Sequence, residues 1–180
     1  MKEVTNECQL IVKHILKRAD QYNLTQKHPN QISITISRIQ SILYFSQIEY
    51  IKHNGSVMFE DDFYASEIGP EVKAVREFYI DYSTGKSDTL VFPTGQLNPD
   101  KRKIIDIILD NTNEIDNVTL SKYSRKIDAL WINTYRSENL NNDKLISKKI
   151  LINYYKPENK ARTKKRTKRT TRYYKRNTIK

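Results

Sequence analysis

Apolar residues recur at helical spacing through most of the first 155 positions of this chain, with one stretch where the period shortens. Val4, Cys8, Ile11, Val12, Ile15, Leu16, Ala19 and Tyr22 share one face over residues 4–22, while Lys13, Lys17 and Arg18 fall elsewhere. This spacing predicts an amphipathic helix. After a polar loop with Pro29 and Asn30, Ile36, Ile39, Gln40, Leu43, Tyr44, Gln47 and Tyr50 or Ile51 track a second helix. It should start at a Ser33 or Thr35 cap, run to about His53 and stop at Gly55, with one or two turns buried all round. Val57-Met58-Phe59 and Phe63–Ile68 then read as two short strands joined by an acidic turn, Glu60-Asp61-Asp62. Gly69-Pro70 ends that unit, and Pro70 suits the first position of a short helix reaching about Tyr79.

Residues 81–97 read as a loop broken by Gly85, Pro93 and Gly95, with a candidate strand at Leu90-Val91-Phe92. Asn98-Pro99-Asp100 combines a cap, a proline and a first-turn acid, which opens a helix to about Asn113. Thr119 should cap a short helix to about Lys126, and another spans Ala129 to Glu138. A last one runs from Asp143 or Ser147 to Tyr155, and Pro157 closes the folded region. The expected fold class is α+β, mainly helical, with about six to seven helices and a small antiparallel hairpin.

Charge changes the picture. The chain of 180 residues holds 32 basic and 21 acidic residues, a formal net charge of +11. Residues 156–180 alone carry twelve basic residues and one acid, Glu158, so they account for the whole excess and residues 1–155 net to zero. Two units follow: a globular domain over 1–155 and a basic tail over 156–180. The tail includes Arg162, Lys164, Lys165, Arg166, Lys168, Arg169, Arg172, Tyr173, Tyr174, Lys175 and Arg176. It has too few apolar groups to offset its ordering entropy, so alone it should be disordered. Against phosphates it should bind with an affinity falling at about −0.9 per phosphate in the log of salt on duplex DNA. Tyr173 and Tyr174 are placed to stack on unpaired bases, at roughly 1–3 kcal/mol each. Nothing in the tail reads base sequence, so RNA and DNA are both candidate partners. The competing reading is a solubilising extension.

No stretch approaches the apolar length of a membrane span, and the first residues lack a signal core. The single cysteine, Cys8, excludes an intramolecular disulfide and fits a reducing, cytoplasmic setting.

Several motifs fall in a recognisable order. Ile39-Gln40-Ser41-Ile42-Leu43-Tyr44-Phe45-Ser46-Gln47 lies on the second helix, and Ala65-Ser66-Glu67-Ile68-Gly69-Pro70 follows the hairpin. Leu120-Ser121 through Trp131 and Ile146-Ser147 with Tyr154-Tyr155 come later. This series resembles the Panacea antitoxin domain, a family of bacterial and phage proteins that includes SocA-like proteolytic adaptors. The resemblance covers about 1–155. Gln40 stands where that family usually has lysine, which puts in doubt an inherited surface contact there, and Ser124 stands for a threonine. The basic tail is outside the family pattern. The resemblance implies a protein that binds a protein partner, neutralising a toxin or delivering it to a protease. A phage origin would make a host defence complex with RNA or DNA an alternative partner. The runner-up is a nucleic-acid-binding accessory or regulatory protein whose neutral domain only mediates dimers. Tyr44, Gln47, Gly69, Pro70 and Trp131 are the motif residues expected to be structural or partner-binding.

Catalytic chemistry has little to stand on. His14, His28 and His53 have no metal-ligand spacing with Cys8 or the acids, and each reads as a surface or helix-end histidine. Cys8 reads as a buried, inert thiol, and Glu60-Asp61-Asp62 as solvated turn acids rather than a cation site. With four glycines the chain has no phosphate-cradling loop. No metal, cofactor or enzymatic activity is expected.

Overall fold

In the computed structural model, which describes residues 5–26, 31–84, 93–137 and 144–156, the helix that carries the Tyr-Phe-x-Gln motif is the axis of the domain. This helix, α2 (Ile36–Asn54), starts at the Thr35 cap, whose hydroxyl accepts from the Arg38 amide, and stops at Gly55, which adopts φ 69°. A positive φ at this C-terminal stop costs glycine nothing, and other residues pay for it sterically. Every residue from Arg38 to Ile48 is buried. A helix buried on all sides needs neighbours on all sides, and α2 has them, with Arg38, Gln40, Ser41, Ser46 and Gln47 buried among its apolar residues.

Helix α1 (Asn6–Thr25) buries Cys8, Ile11, Val12, Ile15 and Ala19. Helix α4 (Pro99–Thr112) packs on both α1 and α2, contributing Ile105 and Leu109. Helix α5 (Asn117–Lys126) and α7 (Lys148–Tyr155) take other faces of α2. The chain also forms α3 (Lys73–Thr84), α6 (Leu130–Tyr135) and a three-stranded antiparallel sheet in the order β2-β1-β3, from β1 (Phe63–Ser66), β2 (Gly69–Glu71) and β3 (Leu145–Ile146). The mainly helical α+β class expected from periodicity is what the chain adopts.

The hairpin region departs from expectation in three ways. Residues 57–59 form no strand: the backbone groups of Met58 and Phe59 pair with the Gln47 side-chain amide instead of a neighbouring strand. The turn therefore moves to Glu67-Ile68, and Pro70 sits inside β2 opposite Ala65 rather than opening a helix. Because β2 is an edge strand, the missing proline N–H costs no ladder bond. Helix α3 begins three residues later, at Lys73.

Glu60-Asp61-Asp62 is accordingly no solvated hairpin turn. Asp61 is buried and accepts from both the amide and the hydroxyl of Thr5, the α1 cap. Glu60 and Asp62 face Lys148 at 3.0 and 3.7 Å. Burial works against that ammonium, but the two carboxylates outweigh it and raise its pKa. Among helix starts, Asp116 rather than Thr119 caps α5, and Ser147 rather than Asp143 caps α7. The hydrogen bonds from Thr119 hold the Asp116 carboxyl below its usual range. Val4, His28 and the candidate strand at 90–92 lie outside the described residues.

Among the described residues Arg38 is the charged residue most deeply enclosed. Its guanidinium donates to the carbonyls of Thr112 at 2.7 Å and Ile115 at 2.8 Å and to Asn117 Oδ1 at 3.1 Å. These acceptors lie at the C-terminal end of α4 and just beyond, where unpaired carbonyls gather. Arg38 thus closes α4 from across the core, and burial lowers its pKa.

Candidate functional site

The motif residues converge on the hairpin and the helices around it. In α2, Gln40 and Gln47 are seven residues apart, two turns along one face. Gln40 Nε2 donates to the Val72 carbonyl at 3.0 Å, and its Oε1 accepts from the Val72 amide at 2.8 Å. Gln47 Oε1 accepts from the amides of Met58 at 2.8 Å and Phe59 at 3.4 Å, while Nε2 donates to the Phe59 carbonyl at 3.2 Å. Each glutamine thus substitutes for a strand neighbour. One fixes the segment entering the hairpin and the other the segment leaving it. Gln40 is 2% exposed, so the departure from lysine at this position concerns an internal contact and no surface.

The hairpin turn is held from the opposite side. The Trp131 indole N–H donates to the Ser66 carbonyl at 3.0 Å, Arg125 donates to the Glu67 carbonyl at 3.2 Å, and the Ser121 hydroxyl donates to the Ile68 carbonyl at 2.7 Å. Three consecutive carbonyls are taken by three side chains from α5 and α6. Gly69 follows at φ 129°, and a Cβ there would lie 3.1 Å from Ser124 Oγ and 3.4 Å from Arg125 Cγ. Glycine is required on both counts, for backbone conformation and for the close approach of α5. The smaller Ser124, in place of threonine, lines that approach.

Tyr44 leads to a second junction. Its hydroxyl donates to Asp128 Oδ2 at 2.9 Å, and the Tyr155 hydroxyl donates to the same oxygen. Asp128 Oδ1 accepts from the Leu130 amide at 2.7 Å, at the start of α6. One carboxylate therefore ties α2, α6 and the last residue of α7. Burial first, and then the Asp128 charge, raises the pKa of both phenols.

That pairing gives a pH prediction. The folded phenols ionise above the ordinary tyrosine value of about 10, so the pair's contribution is intact below pH 10 and is lost as pH rises beyond it. Two such groups steepen alkaline destabilisation by about 1.4 kcal/mol per pH unit at pH 10, rising toward about 2.7 above pH 11. Urea melts at pH 9–11 should show this slope in the native chain and a flatter one in the Tyr44→Phe/Tyr155→Phe variant. Equal slopes would refute it.

The remaining candidates fall in ordinary places. Cys8 is buried in the α1 face, and burial, then nearby carboxylates, pushes its thiol up. His14 Nε2 lies 2.8 Å from Asp106, which also accepts from Arg18, so this histidine belongs to the α1–α4 interface. His53 lies 3.1 Å from Glu49, one turn earlier in the same helix. Among the described residues no three His, Cys, Asp or Glu side chains could share a metal ion, and no helix is long and apolar enough to cross a membrane. The tail residues from Arg162 to Arg176 lie outside the described residues.

Sequence reading missed Arg125 and Asp128. Both sit in the spacer between Ser121 and Trp131, and Asp128 carried one usable signal, an acid two residues before a short helix.

These contacts define a mainly helical α+β domain whose central helix and C-terminal helices grip a small hairpin. The chain belongs to the antitoxin SocA-like, Panacea domain family: that family's profile matches residues 39–132, more than half of its length. The matched span begins in α2 and ends in α6, enclosing both glutamine bridges and the three-carbonyl clamp. No curated protein and no solved structure matches the chain.

Proposed function

We propose that this protein is a non-catalytic, antitoxin-type binding protein that captures a protein partner, a toxin or a defence complex, while its basic tail holds nucleic acid. The family membership over residues 39–132 carries this reading. The internal contacts support it: Gln40, Gln47, Gly69, Ser121 and Trp131 are committed to holding the hairpin, which suits a scaffold presenting a surface. The cysteine is enclosed with its thiol pushed up, which makes it a poor nucleophile. The tail supplies sequence-independent attraction to phosphates, graded by salt.

The test is a tagged pull-down with mass spectrometry, run with and without nuclease, on the full chain and on a chain ending at Tyr155. A specific protein should be captured after nuclease treatment, and by the shortened chain more weakly and with less salt sensitivity. If nuclease or removal of the tail abolishes all capture, the accessory nucleic-acid-binding reading replaces this one.

A further inference from the structure

The zero net charge of residues 1–155 conceals a division. Residues 5–26, 31–84 and 93–116 carry ten basic residues against fifteen acids. Residues 117–137 and 144–155 carry seven basic residues against one acid, Asp128. With Glu138 and Asp143 included, the stretch 117–155 still holds seven against three. The positive share lies on α5 and α7, with Arg136 just after α6 and Lys144 just before β3, while α1 and α4 pack together on α2 elsewhere.

The basic elements adjoin one another. Arg125 of α5 lies over the Trp131 ring at 5.8 Å, and Trp131 stacks on Tyr135 at 5.0 Å with planes 14° apart. The Lys144 ammonium, just before β3, lies over the Tyr135 ring at 4.5 Å. This ladder of guanidinium, indole, phenol and ammonium joins α5, α6 and the start of β3 into one surface. Lys122 and Lys126 lie one turn apart on the side of α5 away from the buried Leu120, Ser121 and Ser124, with Arg125 at the border beside the hairpin. Lys122, Lys126, Arg136 and Lys149 are exposed. Lys148 is offset by Glu60 and Asp62, the Asp128 carboxylate is turned to the hydroxyls of Tyr44 and Tyr155, and Glu67 is the exposed acid beside Arg125.

We infer that this face of the folded domain is itself a phosphodiester-binding surface, contributing its own contacts to a nucleic-acid strand alongside the tail. Cations carried on folded elements neutralise phosphates without the backbone-ordering cost that a disordered segment meets, and contacts to the phosphodiester backbone are indifferent to base sequence. An acidic protein would satisfy the charge as well. In the sequence the cationic segment follows directly on α7, which favours a polyanion long enough to engage both.

The test keeps the tail in every protein, so its outcome is separate from that of the partner-capture reading. Fluorescence anisotropy with a 20-nucleotide oligothymidylate and a 20-base-pair duplex compares the full chain with Lys122→Gln/Lys126→Gln/Arg136→Gln/Lys149→Gln. The variant should bind oligothymidylate at least about tenfold more weakly near 0.1 M salt, with a salt slope smaller by about 2–3, from about 0.7 per phosphate contact on single strands. A control set on α1 and α4, Lys17→Gln/Arg102→Gln/Lys103→Gln, should shift affinity less than about threefold, in keeping with a local rather than a global charge effect. Circular dichroism melts confirm that both variants fold. Unchanged affinity and slope in the first variant, equal losses in both sets, or capture of acidic proteins without oligonucleotide binding would each overturn the inference.

Discussion

Replacing Gln47 with leucine is expected to lower the stability of the domain by about 3–5 kcal/mol, although leucine matches its volume closely and suits a helix. The Gln47 side chain is fully buried and serves three backbone groups of Met58 and Phe59. Removing one partner leaves the others desolvated and unpaired, at about 1–3 kcal/mol for each buried group. Partial relaxation of the loop brings the total below a simple sum. Urea denaturation should show the midpoint moving with little change in slope. A loss under about 1 kcal/mol would mean that the 57–59 segment finds its hydrogen bonds elsewhere, and the strand-substitute role of Gln47 would be wrong.

Trp131→Ala should cost a similar amount, about 3–5 kcal/mol, through a different mechanism. Large aromatic truncations in a core leave a cavity and forfeit transfer energy, and this indole also donates to the Ser66 carbonyl and stacks on Tyr135. Trp131→Phe separates the contributions. It keeps most of the packing and removes the N–H, so about 1–2 kcal/mol should remain as the cost of the unpaired carbonyl. Amide exchange at residues 64–71 should accelerate in both variants well before α1 and α4 are affected. Uniform acceleration across the domain would show that the clamp is not local to the hairpin.

Helices with strong periodicity or strong caps were legible in the sequence. The burial of one or two turns of α2 followed from its apolar pattern, although the buried stretch runs from Arg38 to Ile48, and Asn98-Pro99-Asp100 marked the start of α4. The hairpin was misplaced because Val57-Met58-Phe59 has strand composition, and no local pattern reveals that a glutamine eleven residues earlier will take its backbone bonds. Pro70 was ambiguous for the same reason, since proline suits both a first helical turn and an edge strand, and only the pairing with Ala65 decides. Tyr44, Gln47, Gly69, Pro70 and Trp131 were singled out from the motif, yet their partners Asp128, Ser66, Ser124 and Phe59 are tertiary facts. The domain's charge division escaped notice because a net of zero averages over elements that the fold places apart.

The clamp on Ser66, Glu67 and Ile68 also bears on how this hairpin can be recognised. A loop that fluctuates loses conformational freedom each time a partner docks, and affinity falls accordingly. Here the turn's carbonyls are already engaged from within the same molecule. A protein approaching this edge meets a preset shape, so association is governed by complementarity rather than by adjustment.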